Sequence, residues 1–141
     1  MAGGGLGVSL LKRIRSALRV YGSLGRKGER AAARYLKARG YRVLSRNARV
    51  PMGEADLVCL APDRSTVVIV EVKTRLVQEG AFATIPPEVN VTAHKQRKLA
   101  QVARHLARAN GWTDRRVRID VVAVEWGRRG VVVRHHVGEG R

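Results

Sequence analysis

Acidic residues are scarce in this sequence. The chain of 141 residues carries 28 Lys and Arg against 11 Asp and Glu, which gives a formal net charge of +17. No acidic residue precedes Glu29. A surplus of this size favours a polyanionic partner, and nucleic acid is the leading class. An anionic membrane surface or ribosomal RNA would satisfy the same electrostatics.

Cysteines, aromatic residues and long apolar runs are also few. Because Cys59 is the only cysteine, an intramolecular disulfide is excluded, and a buried thiol in a cytoplasmic protein is expected. Two Trp, three Tyr and one Phe are too few for a platform that stacks single-stranded bases. No apolar stretch has the length of a transmembrane helix, so we expect no integral membrane segment. Glycine-rich nucleotide-binding loops and cysteine–histidine zinc patterns are absent as well.

The length of the chain predicts one folded domain. Residues 24–141 are assigned to that domain, and residues 1–23 to a basic N-terminal extension. The sequence leaves open whether the extension is flexible or an amphipathic helix. The predicted elements are a helix over 25–39, a strand from Tyr41, two hairpin strands within 52–75, a helix from the cap Thr92 to Ala109, and strands over 118–124 and 131–137. This order, α-β-β-β-α-β-β, predicts an α/β fold with a mixed β-sheet flanked by helices.

Residues 52–75 form the most informative stretch. Two apolar runs flank residues 62–65, whose Pro-Asp-Arg-Ser sequence is typical of a turn. Asp56 opens the first run, and Glu71 and Lys73 end the second. Pairing the runs across the turn brings Asp56 beside Glu71, and strand alternation places Glu71 and Lys73 on one face.

Two convergent carboxylates beside an amine point to metal-assisted chemistry. Their hard oxygen atoms favour Mg²⁺ or Mn²⁺ as the cofactor. A metal held there would activate water and stabilise charge on a phosphate, while Lys73 adds a fixed positive charge. The alternative from spacing alone is a solvated Glu71–Lys73 pair that ends an amphipathic strand. The apolar neighbours favour burial, where unpaired charges are unfavourable.

Motifs along most of the chain resemble one nuclease family. They are Gly28-Glu29, Tyr35-Leu36, Gly40-Tyr41, Arg46-Asn47, Gly53-Glu54-Ala55-Asp56-Leu57-Val58, Glu71-Val72-Lys73-Thr74-Arg75, Val91-Thr92, Lys95-Gln96-Arg97-Lys98-Leu99 and Ile119-Asp120-Val121-Val122. In this order they resemble the YraN-like family of predicted endonucleases. That family belongs to the PD-(D/E)XK nuclease superfamily and is similar to archaeal Holliday-junction resolvases. Ala55 stands where the family usually has isoleucine.

The resemblance implies a restriction-endonuclease-like core and a metal-dependent endonuclease that hydrolyses phosphodiester bonds in DNA, with branched or junction DNA among the candidate substrates. It implies Asp56 and Glu71 as ligands of Mg²⁺ or Mn²⁺, with the Val72 carbonyl and waters completing the shell, and Lys73 as a catalytic residue. Glu29 matches a helix-borne glutamate that approaches the metal site in such nucleases. From the residues alone, an early glutamate also favours a helix N-terminus. The second candidate function is a non-catalytic nucleic-acid-binding module on the same fold.

Basic residues on the second helix are the predicted nucleic-acid contacts. Lys95, Arg97 and Lys98 lie near its N-terminus, where positive charge opposes the helix dipole and a bound anion would relieve the conflict. Arg75, two residues after Lys73, is predicted to join them. We expect DNA rather than RNA as the partner. The sequence leaves open a homodimer and the shape of the DNA.

Overall fold

The computed structural model describes residues 5–77 and 92–138. These residues form α1 (Gly5–Ala38), β1 (Arg42–Val50), β2 (Gly53–Leu60), β3 (Val67–Leu76), α2 (Ala93–Ala109), β4 (Val117–Gly127) and β5 (Gly130–His136). The expected mixed sheet with helices packed on it is confirmed. Thr92 caps α2 as predicted, since its hydroxyl accepts the Lys95 N–H at 3.2 Å.

The five strands form one sheet in the order β1-β2-β3-β4-β5. Neighbouring strands are antiparallel except β3 and β4, which are parallel and are linked through α2. A parallel pair requires such a crossover, because a tight turn cannot reverse the chain twice. The central strand β3 is covered on both faces, which explains its uninterrupted apolar run over 67–70.

One helix covers each face of the sheet. Under α1 lies a cluster of buried side chains: Ala32, Ala33, Leu36, Leu57, Cys59, Ala61, Val68, Val70, Val122 and Val124. Under α2 lies a second cluster: Ala55, Val58, Val67, Ile69, Val102 and Ala103. Alternate residues of β3 therefore contact opposite helices, and the side chains after Val70 continue the same alternation.

The first helix is longer than the sequence analysis expected. Residues 25–39 were the predicted helix, and α1 extends it back to Gly5. The described part of the basic extension is therefore helical, which was one of the two alternatives left open for it. The segment contains no proline and is rich in Leu and Arg, which are good helix formers, so the helix extends N-terminal to Gly25. Leu10 and Leu11 are 59% and 56% exposed. Within the described residues, neither helix has the apolar length needed to cross a bilayer.

A buried aspartate ties β4 to β5. Asp120 is fully buried and accepts hydrogen bonds from the Arg118 guanidinium at 2.8 and 2.9 Å and from the Gly138 N–H at 3.0 Å. His135 Nε2 lies 2.7 Å from Asp120 Oδ2, and Arg118 also donates a hydrogen bond to the Tyr41 hydroxyl. Burial opposes ionisation, but the bonds from His135 and Arg118 outweigh it and lower the pKa of Asp120. These contacts give Asp120 a structural role.

Replacing this aspartate should destabilise the fold. We expect Asp120→Asn to lower the free energy of unfolding by about 3 kcal/mol, because Arg118 would lose its buried counter-charge. Urea denaturation at neutral pH measures the change, with the exposed Asp114→Asn as control. Because the folded-state pKa lies below the ordinary value, the ionised Asp120 stabilises the wild type at neutral pH. That contribution is lost as the pH falls through the folded-state pKa. Equal stability of the two variants would contradict this role.

Candidate metal centre

The hairpin of β2 and β3 sets the register of the site. The predicted turn is present, and Asp63 fixes it by accepting the N–H groups of Ser65 and Thr66 at 2.9 Å each. The ladder then pairs Leu60 with Val67 at the turn and Leu57 with Val70 at the other end. Asp56 and Glu71 are the next residues of the two strands. The structure therefore brings these two carboxylates together.

The two carboxylates are in direct contact at the end of the ladder. Asp56 Oδ2 accepts the Val72 N–H at 2.7 Å, which holds the side chain against β3. The Glu71 side chain is only 7% exposed. The pKa of Asp56 is raised to about 7, first by burial and then by the negative charge of Glu71. The Val72 N–H opposes this shift, while the charge of Glu29 and a hydrogen bond to Glu71 add to it. Burial and mutual repulsion therefore make it unfavourable for Asp56 and Glu71 to be ionised together.

Two ammonium groups face the same glutamate. Glu71 and Lys73 alternate onto the α2 side of β3, and Lys73 Nζ lies 3.5 Å from Glu71 Oε1. Lys95, in the first turn of α2, makes an ion pair with the same oxygen. Burial, followed by the proximity of Lys95, lowers the pKa of Lys73. Burial also acts against the charge of Lys95, but its contact with Glu71 prevails and its pKa is raised. Lys95 therefore holds its proton more strongly than Lys73 does.

A close approach of α1 to β3 brings Glu29 to the site. A Cβ atom at Gly28 would lie 1.8 Å from Thr74 Oγ1 and 2.8 Å from Thr74 Cβ, so only glycine fits there without displacement. The next residue, Glu29, lines the same cavity as Asp56 and is near enough to raise its pKa. The contact between Gly28 and Thr74 therefore fixes the distance of the third carboxylate from the pair.

Two glycines of α1 separate this packing effect from helix propensity. We expect Gly28→Ala to destabilise the protein by about 1–3 kcal/mol, because the added methyl group overlaps Thr74. Gly25→Ala is the matched control, since a Cβ there meets no atom within 4 Å. The control should stabilise the protein by about 1 kcal/mol through helix propensity alone. Thermal denaturation of both variants measures the difference, and the same sign for both would contradict the close approach.

The carboxylates and lysines line one open cavity of about 680 Å³. Six predicted site residues contribute to its wall: Glu29, Asp56, Glu71, Lys73, Lys95 and Lys98. Glu54 also lines it, but this carboxylate is exposed and lies 3.6 Å from Arg49 in a surface ion pair. Thr74 and His94 line the cavity too, although neither was a predicted site residue. Their sequence positions could have indicated a place in the site, because Thr74 directly follows Lys73 and His94 directly precedes Lys95.

Two predicted nucleic-acid contacts lie outside this cavity. Arg75 Nη2 donates to Glu125 Oε1 at 2.9 Å, across the parallel pairing of β3 with β4. Arg97 is exposed but does not contribute to the cavity wall. Helical periodicity explains the difference, because Lys98 lies one turn from Lys95 on the same face whereas Arg97 lies on another.

The donor set fits a hard divalent cation. Within the described parts of the chain, no group of three or more acidic, histidine or cysteine side chains is close enough to hold a metal. Asp56 and Glu71 therefore offer two side-chain donors, and main-chain and water oxygens would have to complete the shell. A partly buried carboxylate pair of this kind is the arrangement that Mg²⁺ and Mn²⁺ prefer. A bound cation would also neutralise the repulsion from Glu71, which adds to burial in raising the pKa of Asp56.

Comparison with known proteins gives a consistent match to one family. Residues 28–124 match the family described as "Uncharacterised protein family UPF0102". A UPF0102 protein of Symbiobacterium thermophilum is 47% identical over 108 residues, which cover 76% of this chain and 86% of that protein. A UPF0102 protein of Beutenbergia cavernae is 42% identical over 124 residues, covering 87% and 100%. One from Desulfosudis oleivorans is 40% identical over 101 residues, covering 72% and 77%. The matched segment begins at Gly28 and contains all six predicted residues of the cavity wall.

Proposed function

The chain belongs to the family UPF0102, and from the site built by its matched segment we infer that it is a metal-dependent endonuclease acting on DNA. The observation that carries this proposal is the contact between Asp56 and Glu71 beside Lys73, at the wall of an open cavity in a strongly basic protein. The resemblance to PD-(D/E)XK nucleases supports it, because Asp56 and Glu71-Val72-Lys73 are the residues that match their motif. We assign the sheet and its two helices to the restriction-endonuclease-like core on the same grounds.

Asp56 and Glu71 are the proposed ligands of Mg²⁺ or Mn²⁺, with the Val72 carbonyl as a main-chain donor. When bound, the cation would activate water and stabilise the charge that develops on the phosphate. Hydrolysis forms one bond from water oxygen to phosphorus and breaks one phosphorus–ester bond; the attacking water gives up a proton, and the leaving oxygen takes one up to become a hydroxyl group. The Val72 N–H and the hairpin register keep the Asp56 carboxylate fixed throughout.

The lysines of the cavity have separate proposed roles. Lys73 is the catalytic cation: its ammonium group orients the attacking water or stabilises the transition state. Its lowered pKa suits a residue close to a moving proton. Lys95 and Lys98 contact the phosphate groups of the incoming DNA. In the metal-free chain Lys95 neutralises Glu71, so cation binding would release it for that contact.

The non-catalytic nucleic-acid-binding module remains the second candidate. The observation in its favour is that Lys73 and Lys95 both contact Glu71, which balances part of the acidic charge without a metal. In that case the cavity would bind phosphate through its lysines alone. Divalent metal discriminates the two candidates, because only the nuclease needs it.

A cleavage assay tests the proposal directly. The purified protein is incubated with end-labelled plain, nicked and branched DNA and with RNA, in Mn²⁺, in Mg²⁺ and in EDTA. We expect metal-dependent cleavage of at least one DNA substrate and no cleavage in EDTA. Cleavage of none of these substrates would remove the nuclease proposal and leave the binding module. Cleavage that continues in EDTA would contradict the metal site.

A further inference from the structure

The part of α1 that precedes Glu29 carries a row of exposed basic side chains that leads to the cavity. Lys12, Arg15, Arg19 and Arg26, called here the basic row, are all exposed. They are spaced by three, four and seven residues, so they lie along one face of the helix, and Glu29 follows three residues later. Because α1 is one continuous helix from Gly5 to Ala38, the row and Glu29 belong to the same rigid element.

No acidic residue within this segment balances its positive charge. Between residues 5 and 28 the chain contains no Asp or Glu, while Arg13 and Lys27 add to the charge of the row. The first turn of the helix also lacks an acidic residue, although acids are favoured there. A helix with this composition is stabilised by an external polyanion.

A second cavity connects the row to the metal centre. It measures about 380 Å³ and is lined by Arg19, Ser23, Leu24, Lys27 and Leu76. Leu24 also lines the cavity that contains Glu29 and the Asp56–Glu71 pair, so the two cavities adjoin at this residue. Leu76 is the last residue of β3, so the basic residues continue the site past the end of the sheet.

We propose that the basic row is a second phosphate-binding surface, which holds the duplex flanking the bond that the metal centre cleaves. The inference rests on the proposed nuclease function and names its substrate class, a DNA duplex long enough to reach both surfaces. From Lys12 to Glu29 the helix rises about 26 Å, at about 1.5 Å per residue. Phosphates of one DNA strand advance about 3.4 Å per nucleotide, so the helix from the start of the row to Glu29 spans about seven or eight nucleotides of flank.

A rod-shaped polyanion fits these observations better than a lipid surface does. A duplex can contact the row, place a backbone phosphate at the basic cavity lined by Arg19 and Lys27, and continue to Lys95 and Lys98. A lipid surface would contact the exposed row without reaching the lysines of the recessed cavity. The position of the row beside the metal centre therefore favours a duplex over a lipid surface.

The test compares two variants that lose the same charge at opposite ends of the molecule. The first replaces Lys12, Arg15 and Arg19 with glutamine. The control replaces Lys37, Arg42 and Arg116, which are exposed near the end of the sheet opposite the metal centre. Binding of a labelled 24-base-pair duplex is measured by fluorescence anisotropy in EDTA, where no metal-dependent cleavage occurs. Thermal denaturation verifies that both variants are folded.

We expect the row variant to bind the duplex about tenfold or more weakly than wild type, and its salt dependence to decrease by about two to three phosphate contacts. The control should lose far less. Equal losses in both variants would overturn the proposal, because net charge alone would then explain binding. Sedimentation with phosphatidylglycerol vesicles that depends on the row, with unchanged DNA affinity, would also overturn it in favour of a lipid surface.

Binding and cleavage separate this inference from the function on which it rests. In Mn²⁺, the row variant should require about tenfold or more DNA than wild type to reach half of its maximal cleavage rate, because the row contributes to binding the substrate. If the wild type cleaves DNA and the row variant binds the duplex as tightly as wild type, the proposal for the row is wrong and the nuclease proposal stands. If the row variant binds the duplex more weakly but the wild type cleaves no substrate, the nuclease proposal is wrong and the binding surface stands.

Discussion

Asp56→Ala should reduce DNA cleavage by about a thousandfold or more, since several kcal/mol of transition-state stabilisation would depend on the metal it holds. DNA affinity should stay the same or increase, because the variant removes a negative charge that faces a polyanion. The metal-free fold should keep its stability or gain some, since the contact between Asp56 and Glu71 is repulsive when both are ionised. Single-turnover cleavage in Mn²⁺ and anisotropy in EDTA measure the two effects separately.

Glu54→Ala is the matched control for this variant. It removes an acidic residue from the wall of the same cavity, but one that is exposed and paired with Arg49. An exposed ion pair contributes little, so cleavage by this variant should stay within about twofold of wild type. Equal losses in Asp56→Ala and Glu54→Ala would show that cavity charge matters and that Asp56 has no special role.

Lys73→Ala should lower the rate of the chemical step by about a hundredfold or more while leaving metal binding intact. This is the scale expected when one preorganised charge is removed from the transition state. The KM for DNA should change little, because Lys95 and Lys98 still provide contacts with the substrate. Steady-state kinetics and metal titration of the same preparation measure both quantities.

Lys98→Ala provides the comparison for Lys73. It also removes one positive charge from the wall of the cavity, but Lys98 lies on α2. The described ion pairs of Glu71 are with Lys73 and Lys95 and do not include Lys98. Its effect should fall mainly on KM and on the salt dependence of binding. A Lys73 variant that raises KM and leaves kcat unchanged would make Lys73 a binding residue rather than a catalytic one.

The central part of the site could be predicted from the sequence because its geometry is local. The turn at residues 62–65 fixes the hairpin register, and that register places Asp56 beside Glu71. Strand alternation then places Lys73 on the same face as Glu71. The family resemblance added Glu29, whose position depends on a separate helix. Membership of the YraN-like family UPF0102, expected from the motifs, is confirmed.

The remaining features depend on contacts between distant parts of the chain. Nothing in the sequence around Gly28 shows that a Cβ atom would overlap Thr74, forty-six residues away. The ion pair of Arg75 with Glu125 follows from the parallel pairing of β3 and β4, which local patterns do not specify. The length of α1 was missed for another reason: three glycines interrupt the helical pattern between residues 22 and 28, although the helix continues through them.

Titration of Mn²⁺ by calorimetry tests the metal centre most directly, because it requires neither a known substrate nor turnover. The wild-type protein should bind the cation, and Asp56→Asn and Glu71→Gln, which keep the shape of each side chain, should each abolish or strongly weaken that binding. Glu54→Gln should bind as wild type does. A wild-type protein that binds no Mn²⁺, or Asp56 and Glu71 variants that bind it as tightly as wild type, would contradict the account.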